Sequence, residues 1–329
     1  MQWKGKRVLV TGAGGFIGSH LVERLAELGA RVRALVRYNS RNDWGLLELL
    51  PASVKEDLEV VAGDITDPFG MAQAVDGCEL VFHLAALVAI PYSYIAPAQF
   101  VMVNCAGTLN LLEAARQHGV ARFVHTSTSE TYGTAQYSPI DENHPLRGQS
   151  PYAASKIGAD KLAESYYLSF GVPVATIRPF NTYGPRQSAR AIIPTIISQA
   201  LSGEVIRLGS LAPRRDLNYV GDTVEGFIKV AESPQAVGEV INIGSGKSVS
   251  IGDLAKKIVA LTGGGKHIVT QEARVRPESS EVMELLCDHR KARELLGWAP
   301  EVSLEDGLVR TISDIQKSLS RYKPGIYNV

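Results

Sequence analysis

The 329-residue chain is long enough to bury a large core, as one large domain or two intimately joined ones. Its 45% hydrophobic and 21% charged residues are ordinary for a globular protein, and 34 Lys+Arg balance 34 Asp+Glu. With no net charge there is no global field to draw it to nucleic acid or an anionic membrane, so an anionic ligand must be held by locally grouped arginines.

Arg7–Thr11 (RVLVT) is a short apolar run that ends in glycines, and Phe16–Leu28 follows with helical periodicity. This predicts a buried strand, a tight turn and a helix, closed by Gly29. Arg31–Val36 is the second strand; Leu58–Ala62, Leu80–Leu84 and Arg122–Thr126 are three more β-branched-rich runs. Helical stretches separate them at Met71–Val75, Pro97–His118 and Ser150–Phe170, and Pro173–Arg178 supplies a sixth strand. Strands alternating with helices predict an α/β fold, a doubly wound parallel sheet with helices on both faces. After Pro179 the elements become short and punctuated by Gly and Pro: Ile192–Leu201, Val205–Leu208, Val220–Glu232, Val240–Ile243, Ile251–Leu261 and Lys291–Leu296. The expected division is therefore a nucleotide-binding domain over 1–180 and a smaller C-terminal substrate-binding lobe over 181–329, with part of the chain returning to the first.

Cys78, Cys105 and Cys287 are scattered without metal or redox spacing, as expected of small core residues in a reducing compartment. The seven histidines form no HxxxH or HxH pair, so no metal site is expected. Met1–Lys6 passes straight into a strand and no apolar run reaches ~18 residues. Neither a signal peptide nor a membrane span is expected, and the cytoplasm is the expected location.

Thr11-Gly12-Ala13-Gly14-Gly15-Phe16-Ile17-Gly18 stands where the first strand meets the first helix. Glycines there let the backbone approach a pyrophosphate, and the helix N-terminus presents free N–H groups to it. The placement points to a dinucleotide fold of the Rossmann type. The second strand ends in Val36-Arg37-Tyr38-Asn39-Ser40-Arg41, with no carboxylate for a ribose 2′-hydroxyl. Arg37, with Arg41, suits a 2′-phosphate, so NADP is favoured and NAD stays open. Asp64 after the third strand either accepts from the adenine amino group or caps its own turn.

Tyr152-Ala153-Ala154-Ser155-Lys156 opens a helix after Ser150-Pro151. The i,i+4 spacing puts phenol and ammonium on one face. A tyrosine of pKa ~10 is a poor base at neutral pH, and a lysine cation and a nicotinamide ring both favour its phenolate. Lowering it by ~3 units takes about 4 kcal/mol.

TGAGGFIG (Thr11–Gly18), FHLAA (Phe82–Ala86), TSTSETYG (Thr126–Gly133), YAASK (Tyr152–Lys156), RPFNTYGPR (Arg178–Arg186) and RDLNYVGD (Arg215–Asp222) resemble the extended short-chain dehydrogenase/reductases, in the family's order and over nearly the whole chain. AIPYSY (Ala89–Tyr94), YGTAQY (Tyr132–Tyr137) and QSARAIIPT (Gln187–Thr195) look like the nucleotide-sugar 4,6-dehydratases of the legionaminic-acid type. The resemblance implies that Tyr152 removes the sugar's 4-hydroxyl proton, Lys156 holds the nicotinamide ribose and Thr128 hydrogen-bonds the reacting oxygen. It implies a cofactor wall made by Gly12, Gly15, Phe16, Ile17, Gly18, Arg37, Asp64 and Ile65, with Leu84, Ala85, Ala86 and Pro179. A homodimer is likewise implied, through helices such as Pro97–His118 and Ser150–Phe170.

Ser127-Thr128-Ser129-Glu130 ends a strand at the cofactor mouth. Related 4-epimerases carry small or neutral residues where this chain has Glu130, since turning a C4 ketone needs no further base. A carboxylate suits removal of the C5 proton that the ketone acidifies, followed by loss of the 6-hydroxyl as water. Many dehydratases have Asp where this chain has Ser129, so the acid that helps water leave stays unassigned. Asn181 is expected on substrate phosphate or sugar, and Arg186, Arg190, Arg215 and Arg276 have forked donors suited to a diphosphate. The expected substrate is a UDP- or GDP-linked N-acetylglucosamine. The alternatives are a sugar-nucleotide 4-epimerase, a uronate decarboxylase and a non-catalytic NADP-sensing protein.

Overall fold

The computed structural model describes residues 2–275 and 277–326. In chain order, β1 (Arg7–Thr11), α1 (Phe16–Glu27), β2 (Arg31–Arg37), α2 (Ala52–Glu56), β3 (Glu59–Gly63), α3 (Pro68–Val75) and β4 (Leu80–His83) come first. Next are α4 (Ile90–Ile95), α5 (Pro97–Phe100), a π-helical stretch Val101–Ala106 and α6 (Gly107–His118). Then follow β5 (Arg122–Thr126), α7 (Pro151–Phe170), β6 (Val174–Pro179) and β7 (Asn181–Tyr183). The remainder holds α8 (Ile192–Ser202), β8 (Val205–Leu208), β9 (Arg214–Tyr219), α9 (Val220–Glu232), β10 (Val240–Ile243), β11 (Ser248–Ser250) and α10 (Ile251–Leu261). It ends with β12 (His267–Thr270), β13 (Glu284–Leu285), α11 (Arg290–Leu296) and α12 (Leu304–Lys317).

Seven strands form one parallel sheet in the order β10-β6-β5-β4-β1-β2-β3. Alternation along β1 shows why it is central. Val8 and Val10 pack on one layer with Leu21 and Leu25 of α1, while Leu9 packs on the opposite layer with Val81, Leu111 and Phe123. Burying such a side chain is worth about 1.5–3 kcal/mol. Truncating Leu9, which is fully buried, should cost ~2–5 kcal/mol. Chain order reverses between β1 and β4, which opens a crevice at the carboxyl ends of those strands.

Helix α7 starts where its sequence predicts. The Ser150 hydroxyl accepts from the Ala153 N–H at 3.1 Å, Pro151 takes the first helical position, and Gly171 ends the helix at φ 66°. The expected single helix Pro97–His118 is instead α5, the π-helical stretch and α6. The wider turns there carry Asn104 inward, where its amide holds the Leu87 N–H and C=O and donates to Ser155 Oγ at 2.9 Å.

The second lobe packs α8, α10 and α12 around Ile196, Leu254, Leu308 and Ile315. Its strand β9 pairs with β7, β11 and β13, and β8 pairs with β12. The chain does not stay in that lobe: α9 lays Phe227 and Ile228 on the β1 layer, and β10 joins the large sheet beside β6.

Candidate active-site cleft

A cleft of about 1400 Å3 runs from the ends of β2 and β3, past the glycine turn, to the second lobe. Sites for one drug-sized ligand span ~300–1,000 Å3, so this one has room for a dinucleotide and a second molecule. Its first wall is the glycine turn. Gly12 has φ +68°, and a Cβ there would lie 2.8 Å from the Ala85 nitrogen; one at Gly18 would lie 2.2 Å from the Gly12 carbonyl oxygen. No side chain caps the N-terminus of α1 and no acidic residue occupies its first turn. Its leading N–H groups are thus available to an anion.

Gly12, Gly15, Phe16, Ile17 and Gly18 line this end with Arg37, Asp64 and Ile65. Leu84, Ala85, Ala86 and Pro179 continue the wall toward the centre. Asp64 takes the turn-capping role: its Oδ1 accepts from the Thr66 N–H at 2.9 Å and the Thr66 hydroxyl at 2.8 Å. Those bonds hold its carboxyl below the usual range, against burial and with help from Arg37. Although β2 ends without a carboxylate, Asp43 reaches the same wall, 3.7 Å from Arg41.

At the centre, Thr128, Ser129, Glu130, Tyr152 and Lys156 face one space. The Thr128 hydroxyl hydrogen-bonds the Tyr152 phenol and accepts from the Glu130 N–H at 3.3 Å. Lys156, only 4% exposed, donates to the Thr126 carbonyl at 2.6 Å. Ser129 is buried beside them. Among the described residues, no ion pair or side-chain hydrogen bond engages the Glu130 carboxylate, which is half-buried at the cleft wall.

The expectation that Lys156 depresses the Tyr152 pKa does not hold for the protein alone. Burial pushes the phenol well up, Glu130 and Asp160 add to this, and the Thr128 bond opposes it. Water is removed from the phenol while the charges that bear on it are negative, so the proton stays. Burial likewise lowers the Lys156 pKa, against Asp160.

The residues fit a nicotinamide dinucleotide. Beyond the uncapped helix, the buried Thr126 Oγ1 and Asn181 Oδ1 have no protein partner and belong to residues on the cleft wall. Polar atoms so buried ordinarily find a partner in a ligand or water.

In the second lobe Arg190 and Arg215 line the cleft with Asn181. Arg215 is buried and already paired with Glu281 at 3.0 Å. Arg186 is a correction: it does not line the cleft. Held at φ +67°, it turns its guanidinium onto His20 and Glu23 of α1, while its N–H donates to Asp314 at 3.1 Å. Arg276 lies outside the described residues. Arg207, which the sequence reading missed, also lines the cleft. The signal was there: in β8 the exposed Arg207 stands between buried Ile206 and Leu208. Trp44 was missed too; its carbonyl packs 2.6 Å from where Gly14 would carry a Cβ.

Residues 9–311 match the family model described as GDP-mannose 4,6 dehydratase. The chain is 35% identical to a UDP-glucose 4-epimerase of Mycolicibacterium smegmatis, over 93% of this chain and 97% of that protein. It is 32% identical to a dTDP-glucose 4,6-dehydratase of Streptomyces niveus, over 97% and 95% of the two chains. Among solved structures, the dTDP-glucose 4,6-dehydratase of Streptomyces venezuelae with NAD bound superposes with a TM-score of 0.86. That pair shares 31% identity over 97% of this chain and 99% of the other. With its parallel sheet, glycine turn and Tyr152–Lys156 cleft, the chain belongs to the GDP-mannose 4,6-dehydratase-like family of NAD-dependent sugar-nucleotide dehydratases and epimerases, within the extended short-chain dehydrogenase/reductases.

Proposed function

We propose that the protein is a 4,6-dehydratase acting on a UDP- or GDP-linked hexose, with N-acetylglucosamine as the first choice of sugar. The observation that carries this is Glu130, a carboxylate on the cleft wall beside Tyr152 that has no ion-pair partner among the described residues. A simple 4-epimerase has no use for such a base.

When bound, the nicotinamide dinucleotide supplies a two-electron store that takes a hydride from C4 and returns it to C6. Lys156 and the α1 N-terminus would hold it, and Arg37 with Arg41 supports NADP, with NAD the alternative. Ionised once a bound nicotinamide's positive charge offsets Glu130 and Asp160, with its own proton passing to solvent, Tyr152 takes the proton of the sugar 4-hydroxyl, and Thr128 holds that oxygen in line with it. Glu130 removes the C5 proton, which the C4 carbonyl acidifies. The electron pair of that C–H bond becomes the C5–C6 double bond as the 6-hydroxyl takes up a proton and leaves as water, and hydride return to C6 is matched by a solvent-derived proton at C5. Asn181, Arg190 and Arg215 line the wall on which the nucleotide diphosphate would rest. The enzyme would be a lyase, redox-neutral overall.

Incubation with UDP-, GDP- and dTDP-hexoses in deuterated water tests this, with products read by mass and NMR. A 4-keto-6-deoxy product with solvent deuterium at C5 is expected. A C4 epimer that keeps its 6-hydroxyl, or carbon dioxide from a uronic acid nucleotide, would replace the proposal with the epimerase or the decarboxylase.

A further inference from the structure

One turn beyond Lys156 on α7, Asp160 is 6% exposed and meets three side chains. It accepts from Arg178 Nη2 at 2.7 Å and Ser127 Oγ at 2.6 Å, and bonds His125 Nε2 at 3.0 Å. Arg178 also donates to Ser127 Oγ at 3.1 Å, and its guanidinium lies 4.6 Å from the centre of the Tyr132 ring. The cluster joins β5, β6 and α7 directly beneath the cleft floor. Ser127 precedes Thr128, so a bond that fixes Ser127 also fixes the strand end from which Thr128 and Glu130 project.

Lys156 has no carboxylate within ion-pair distance among the described residues. The titratable groups that bear on it are Asp160 on α7, Cys105 on the π-helical stretch, His83 on β4 and His125 on β5. Burial favours the neutral forms of both histidines, of Cys105 and of Tyr152. Asp160 is thus the anion of the set, held ionised by Arg178 and His125. A lysine so deeply buried needs a nearby anion to keep its proton.

We propose that Asp160 is a positioning residue of the catalytic centre, whose buried carboxylate keeps Lys156 charged and whose bond to Ser127 fixes the Thr128–Glu130 corner. This rests on the role given to Lys156 above, but the charge on Lys156 can be read without turnover.

The test is an NMR titration of protein labelled at its lysine side chains, with the Lys156 signal assigned by its loss in Lys156→Met. In Asp160→Asn the Lys156 midpoint should fall by about one pH unit or more. The same variant leaves Arg178 buried without its anion and risks unfolding. Asp160→Asn/Arg178→Gln removes both charges, and its Lys156 midpoint should also lie below that of the unmodified protein. The alkaline limb of the pH–rate profile should move down in parallel. If turnover fails on every sugar nucleotide while the amine midpoint moves, the dehydratase reading falls and the Asp160 role stands. An unchanged midpoint, or loss of the folded state in both variants, overturns it in favour of a purely structural cluster.

Discussion

The Glu130 carboxylate bears directly on the Tyr152 phenol: its negative charge adds to burial in keeping that proton in place. Two groups meant to accept protons therefore oppose one another while both are empty. The order of events is set by the substrate instead: the C5 proton is acidic only once C4 is a ketone, so Tyr152 acts on the 4-hydroxyl before Glu130 acts at C5. In Glu130→Gln the C4 oxidation should survive, and water loss should fall ~10²–10⁴-fold. Removing the anion lowers the Tyr152 pKa, so the acidic limb for C4 oxidation should move to lower pH. Single-turnover absorbance of the reduced cofactor, followed against pH, checks both; undiminished dehydration would remove Glu130 from its role.

Gly12 combines a left-handed backbone with a neighbour too close for any side chain. Gly12→Ala forces a Cβ toward the Ala85 nitrogen and should cost ~1–3 kcal/mol. Dinucleotide affinity should fall at least ~10-fold, read by fluorescence titration. Wild-type affinity in this variant would refute the close approach of the turn to its ligand.

The proposed preference for NADP rests on Arg37, which lies on the cleft wall at the end of β2. Its loss in Arg37→Ala should weaken NADP by ~10–100-fold, the worth of a charge-assisted hydrogen bond, and leave NAD within ~3-fold. Parallel Kd measurements decide it. Equal losses for both would assign Arg37 to the shared part of the cofactor.

His20 makes the clasp between the lobes sensitive to pH. Burial, then Arg186, holds its pKa at about 4, against 6.5 when unfolded. The unfolded chain binds the extra proton between those values, so this contribution is complete above pH 6.5 and is lost as pH falls toward 4. Its full size is about 3 kcal/mol. Thermal melts at pH 7.5 and 5 should show a smaller pH loss for His20→Asn than for the unmodified protein. Identical slopes would dismiss the clasp as a titrating element.

Periodicity made the large sheet legible, because strands buried on both faces are short apolar runs and the helices between them are amphipathic. It placed β5, β8, α9, β10 and α10 at their observed bounds. It failed where local pattern does not set the outcome. The π-helical stretch is invisible to a 3.6-residue period, since what widens it is the inward reach of Asn104. Helix α12 does not stand out among its charged residues, although Ser303 caps it through the Asp306 N–H. The centre of the site could be read because Tyr152 and Lys156 are one turn apart in sequence. Arg186 misled because an arginine in a glycine–proline loop reveals neither its φ nor its partner. Its true contact, Glu23, lies 163 residues away.

The strand β10 carries a cost for synthesis. It comes off the ribosome more than sixty residues after β6, the strand it must cover. Until then the nascent sheet ends in a fully buried-type strand with its ladder groups unpaired, an adhesive border for any neighbouring chain. A gene cut near residue 180 would make that border permanent, so the nucleotide-binding half should be expressed with α9 and β10 attached.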